Sequence, residues 1–146
     1  MASYAGVETA TIAASPQACF DALTDYERLP EWQRAVKAVD VLERDERGRG
    51  TIVEYAVDAK LKTVRYRLRQ QYDEPHRLGC QYVCGDFRDF SGEWRFGARD
   101  DGTTEVELDL DIDPGRFVPG PVRSAIREFV MTRAVRDLKA HVEGSA

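Results

Sequence analysis

Arg65, Arg67 and Arg69 occupy alternate positions in one segment, and Glu105, Glu107, Asp109 and Asp111 do the same in another. Rows of this kind suit two chemistries: arginines clamp phosphates and carboxylates, and carboxylates gather metal ions. Their phase argues against both. The arginines oppose Val64, Tyr66 and Leu68, and the acids oppose Val106, Leu108, Leu110 and Ile112, so in extended strands each charged row faces water. Glu54 and Asp58 in the preceding segment share the outward phase and offer the arginines cross-strand partners. The acidic row spreads over ~20 Å, too far for one ion, and no metal site is expected.

His76 follows Pro75 in a turn and His141 falls near the chain's end, so neither completes a set of nucleophile, base and orienting acid. No glycine-rich phosphate loop precedes a helix, and no cofactor is expected. Cys19, Cys80 and Cys84 are an odd number at spacings of neither a disulfide framework nor a zinc site. On one strand face Cys80 and Cys84 would stand about 13 Å apart, so all three read as reduced thiols serving as small buried hydrophobes.

The aromatic residues remain. Trp32, Tyr55, Tyr66, Tyr72, Tyr82, Trp94, Phe117 and Phe129 take the inward phase of their elements, with hydroxyls and indole N–H groups that need partners once buried. Such a lining suits a flat apolar ligand; the plainer alternative is that these rings fill a core. Candidate ligand contacts are Trp32, Tyr55, Tyr66, Tyr82, Trp94, Phe117 and Phe129, with Tyr66 and Tyr82 as possible proton donors. Arg123 and Arg127 share a helical row with Met131 and Val135 and so could border a cavity mouth and hold a ligand's carboxylate or phosphate, unless they are ordinary surface arginines. Asp86, Arg88 and Asp89 in a turn could rim the same opening.

The elements that must position these groups are legible from periodicity. A first strand is expected over Glu8 to Ala13, and Ser15-Pro16 then provides an N-cap with proline at the first helical position. Ala18, Cys19, Ala22 and Leu23 recur at helical spacing, and a second short helical segment from Asp25-Tyr26 is cut by Pro30. From Val36 the period becomes two, through Val39 and Val41, Val53 to Val57, Val64 to Leu68, Leu78 to Cys84, Phe90 to Phe96, and Val106 to Ile112. Turn chemistry lies at Asp45 to Gly50, Asp73 to His76, Asp86 to Asp89 and Asp100-Asp101-Gly102. A final helix follows Pro121, with Val122, Ile126, Val130, Ala134, Leu138 and Val142 spaced by four, a stripe expected to wind by about 40° per step around the helix. One wet face on a sheet predicts an α+β fold in which a curved antiparallel seven-stranded sheet wraps the long C-terminal helix, with two short helices closing one end.

At 146 residues the chain fits one domain, 1–146, large enough to hold a core without staples. A net charge of −5 argues against a nucleic-acid footprint. Apolar runs fall far short of the ~20 residues of a membrane helix, and no secretory leader is evident, so a cytoplasmic protein without stable membrane insertion is expected.

The run Ala14-Ser15-Pro16-Gln17-Ala18-Cys19-Phe20-Asp21-Ala22-Leu23-Thr24-Asp25-Tyr26, then Leu29-Pro30-Glu31-Trp32, the Val39 to Glu43 strand and the closing helix resemble the START and polyketide cyclase-like (SRPBCC) superfamily across essentially the whole chain. The resemblance implies a helix-grip fold with a deep apolar cavity between sheet and helix, used by different members for lipids, quinones, polyketides or hormones. Three functions follow as expectations. The first is binding of a hydrophobic small molecule; the second is a polyketide aromatase/cyclase or dehydrase; the third is a ribosome-associated interaction module with an external partner surface. The chain departs from the cyclase pattern in that its strand arginines face outward.

Overall fold

Ser15 shows how closely local chemistry sets the first turn: its hydroxyl accepts from the Ala18 N–H at 3.1 Å, and Pro16 occupies the first helical position. The computed structural model describes residues 4–115 and 118–144. Strand β1 (Tyr4–Ile12) leads to α1 (Pro16–Thr24), a 3₁₀ turn (Tyr26–Arg28) and α2 (Leu29–Trp32). Six strands follow: β2 (Val36–Arg44), β3 (Gly50–Asp58), β4 (Thr63–Asp73), β5 (Arg77–Gly85), β6 (Asp89–Ala98) and β7 (Thr104–Asp113). The C-terminal helix comprises α3 (Gly120–Arg127), a π turn (Glu128–Thr132) and α4 (Arg133–Gly144).

The strands form one antiparallel sheet in the order β1-β7-β6-β5-β4-β3-β2, curved around the C-terminal helix. This is the helix-grip arrangement expected of the alternating pattern. Register shifts between β2 and β3 mark bulges, which bend and twist a sheet. Strand β1 is longer at its start than the expected Glu8 to Ala13. It pairs with β7 from Tyr4 opposite Ile112 to Ile12 opposite Thr104, because the neighbouring ladder extends residues whose own alternation is weak. No helix among the described residues is long and apolar enough to cross a membrane.

The charged rows lie outside, as their phase requires. Arg67 pairs with Glu54 at 2.8 Å, and Arg95 contacts Glu93 and Glu107 on neighbouring positions. Cys84 corrects the expected pattern. Leu68 faces Tyr82 while Arg67 faces Cys84, so Val83 is an extra residue in β5, and the bulge turns Cys84 out to solvent.

The helix stripe is also corrected. A row spaced by four overshoots by about 40° per step on an α-helix, whereas the extra residue of a π turn rotates the face back by about 100°. The π turn thus cancels much of the winding, and Val122, Ile126, Ala134 and Leu138 all remain buried.

The interior has two zones. Beneath α1, Ile12, Cys19, Phe20, Leu23, Leu78, Phe96, Val106 and Leu138 pack together, with Phe20 edge-on to both Tyr72 and Phe96. Toward the other end, a larger cluster gathers Tyr66, Phe87, Phe90, Leu110 and Ile112 against Val122, Ala125, Ile126, Met131 and Val135 of the helix.

Candidate functional site

Between the sheet's concave face and the C-terminal helix lies a hollow. Tyr55 and Val57 reach it from β3, Tyr66, Leu68 and Gln70 from β4, Leu78 and Cys80 from β5, and Phe90 and Trp94 from β6. Leu108 and Leu110 add the β7 wall; Val130 and Ala134 form the helix wall; Leu23 comes from α1, Leu29 from α2, Gln33 from just after it and Val36 from the start of β2. It comprises about 680 Å³ of space free of protein atoms, its open mouth included, of which the centre of a water-sized sphere reaches about 80 Å³. This slot runs between the concave face of the sheet and the helix. Tyr55, Cys80 and Trp94 lie deep in the fold yet keep some accessible surface, which is the surface of this hollow.

Small side chains leave the space open on one side and a missing side chain arranges the other. Ala134 and Val130 face the sheet's rings across the slot. On β6 the inward position between Phe90 and Trp94 is Gly92, where a Cβ would stand 2.1 Å from Leu110 Cδ2. Glycine there lets Leu110 lie flat along the wall.

The polar groups are few and tied to the scaffold. Gln70, buried on the inward face, donates from Nε2 to the Tyr55 hydroxyl at 2.9 Å. The Cys80 thiol points at the Gly92 carbonyl at 3.5 Å. Tyr66 stacks between Tyr55, at 5.5 Å between ring centroids, and Phe90, at 5.4 Å. At the sheet's other end, the single hydroxyl hydrogen of Tyr72 goes to the Gly50 carbonyl, so Tyr26 must be the donor in the 2.7 Å contact between the two phenols. Burial pushes the ionisation of Tyr55 and Tyr66 well above the ordinary tyrosine range, with nearby Cys80 adding to both shifts, and burial pushes the Cys80 thiol up to about 12. All three are neutral near pH 7. None can serve as a general base there, but each phenol remains a hydrogen-bond donor.

Four expected contacts lie elsewhere. Trp32 stacks on His141 at 4.6 Å with an interplanar angle of 4°, sealing α2 to α4, so an aromatic expected in the cavity and a histidine expected to be idle form one joint. Beside it the Arg34 N–H donates to the Asp137 carboxylate at 3.1 Å. The Tyr82 hydroxyl donates to the Phe87 carbonyl at 2.6 Å and so locks the β5–β6 turn instead of facing a ligand. Arg123 is half-buried and reaches the Val118 carbonyl, and Arg127 is exposed; neither lines the hollow. The reason is the π turn, which rotates residues ahead of it out of line with Met131 and Val135, both buried. Phe117 lies outside the described residues, as does the side chain of Phe129. Asp86 accepts from the Arg65 N–H, and Arg88 pairs with Asp113, so this turn is fastened to its neighbours.

Tyr55, Tyr66 and Trp94 are therefore the expected residues that the fold brings together. Gln70 is missing from the expected set, although its place in the Leu68-Gln70-Tyr72 alternation assigns it inward. Gln33 is missing too, and it sits where no periodic element gives a phase. A second, shallower depression lies on the sheet's outer face over Gly79, and there Glu93 is paired with both Arg77 and Arg95. Among the described residues no cluster of three or more His, Cys, Asp or Glu could hold a metal ion.

Known proteins share this architecture. A START superfamily protein from Mycobacterium smegmatis superposes with a TM-score of 0.85 at 22% identity, covering 97% of this chain and 99% of that one. A Thermus thermophilus protein gives 0.80 at 20% identity, covering 98% and 99%. The Zhui aromatase/cyclase from Streptomyces sp. R1128 gives 0.77 at 21% identity, covering 98% and 93%. No curated protein matches the sequence. Residues 12–143 match the family model described as polyketide cyclase / dehydrase and lipid transport, and with nearly the whole length so matched the chain belongs to that family.

Proposed function

We propose that this protein binds a hydrophobic small molecule of lipid, quinone or polyketide-like kind in the hollow between sheet and helix. The observation that carries the reading is the slot itself. Ligand sites are concave, mostly apolar and supplied with a small number of placed polar groups, and this space has that form. Apolar burial would provide the affinity, and the Tyr55, Tyr66 and Gln70 groups would orient the guest.

A cyclase or dehydrase reading draws support from family membership. It is the weaker of the two for this chain, because acid–base turnover needs a group that gains and loses a proton near neutral pH. Among the described residues of the lining, the ionisable side chains are Tyr55, Tyr66 and Cys80, all held neutral by burial. An external interaction module has less support still. The large exposed hydrophobics Val7, Leu42, Leu61 and Val83 are scattered over four separate stretches of the chain.

The test is a thermal-stability screen against quinones, fatty acids and aromatic polyketides. A compound that binds only the native state, at a hundred times its dissociation constant, adds about 2.7 kcal/mol. At least one apolar compound should raise the transition temperature, and a flat response across the whole panel would overturn the proposal.

A further inference from the structure

We infer that the guest of this hollow is uncharged and presents a carbonyl oxygen to the phenol hydroxyls of Tyr66 and Tyr55. This rests on the small-molecule reading and narrows it to a ligand class. The first ground is the absence of any charged side chain among the described residues that line the slot. A carboxylate or phosphate brought there would lose its hydration without gaining a cation, which weakens its binding. The arginines that might have supplied one, Arg123 and Arg127, do not line it.

The second ground is an unfinished hydrogen-bond account. Tyr66 is only 5% exposed, yet its hydroxyl meets no protein partner among the described residues. The hydroxyl is not among the fully buried unpaired atoms, so it keeps accessible surface, and with Tyr66 lining the hollow an acceptor within the hollow can take its hydrogen. Tyr55 makes a similar offer. Its oxygen accepts from Gln70, which leaves its own hydrogen to be donated elsewhere. The indole N–H of Trp94, which also lines the slot, is likewise a donor only, so an acceptor atom on the guest answers this set.

Three matched probes separate the terms: acetylnaphthalene (ketone), ethylnaphthalene (no acceptor) and naphthoate (carboxylate), titrated into the intact protein by calorimetry at neutral pH. The ketone should bind about tenfold more tightly than the hydrocarbon, the worth of one well-placed hydrogen bond, and naphthoate should bind more weakly than either. Tyr66→Phe keeps the ring and its stacking, so the melting temperature should hold. In that variant the ketone should lose about tenfold while the hydrocarbon is unaffected, with Tyr55→Phe as an independent second variant. Naphthoate binding as tightly as the ketone, or a ketone advantage that survives both variants, would overturn the assignment while leaving small-molecule binding intact. If none of the three binds and the broader screen is also flat, the binding reading falls with it.

Discussion

The two ends of the interior use similar apolar residues and reach opposite results. Beneath α1, Phe20, Phe96 and Leu138 close on one another, and Phe20 meets the rings of Tyr72 and Phe96 edge to face at 6.1 and 6.4 Å. Beside the helix's π turn, the rings of Tyr55, Tyr66, Phe90 and Trp94 face Val130 and Ala134, and a slot remains between them. Hydrophobicity does not distinguish the ends. What does is side-chain length opposite the rings, together with α1, which plugs one end only. The packed end is also where the helix is fastened, through Trp32 on His141, the Arg34 N–H on Asp137, and the Lys139 ammonium on the Thr11 carbonyl at 2.7 Å. One end anchors the helix, and the other is free to specialise.

The largest effect should come from opening the packed end. Leu138 is fully buried and lies outside the slot, so Leu138→Ala should cost about 2–5 kcal/mol in chemical denaturation, the usual range for a core truncation that leaves a cavity. The native fraction should bind acetylnaphthalene as before.

The converse substitution fills the slot. In a close-packed core an enlarged side chain costs about 1–3 kcal/mol in strain. Ala134→Leu has space to occupy, so its stability should fall by less than that of Leu138→Ala, while ligand affinity drops by about tenfold or more. A variant as unstable as Leu138→Ala with undiminished affinity would erase the distinction between the ends.

These contrasts also mark what the sequence makes legible. Alternation in Val64, Tyr66 and Leu68, and again from Val106 to Ile112, identifies the strands and their inward faces because the period is a property of the backbone. Ser15-Pro16 identifies the first helix for the same kind of local reason. The slot is not local. Alternation says that Tyr66 and Phe96 both point inward, but whether a ring meets another ring or open space depends on what the helix offers across ~10 Å, at positions remote in the chain. Phe87 is hidden differently, as a buried ring between Asp86 and Arg88 that reads as part of a polar turn. Cys84, Arg123 and Arg127 are misplaced by single-residue irregularities, the β5 bulge and the π turn, each of which shifts the phase of what is read across it. Gln70 needs no such excuse, since its phase alone places it inward.

The smallest expected effect compares one thiol from each end. Cys19 belongs to the packed cluster and Cys80 to the slot; burial pushes the first up to about 11 and the second up to about 12, from 9.0 in both cases. On ionisation alone Cys80 would be the slower to react with a small neutral thiosulfonate, since thiolate is the nucleophile and its fraction rises about tenfold per pH unit below the pKa. Access predicts the reverse. Exposed Cys84 should label first, Cys80 next through the slot, and Cys19 last, because a reagent reaches it only when the packed end opens. Both buried sites should label faster as pH rises toward their raised values. Acetylnaphthalene should slow Cys80 selectively among the three, and peptide mapping by mass spectrometry reads each site. If Cys19 labels before Cys80, or if the ligand protects both equally, the two ends open as one unit and the slot has no entrance of its own.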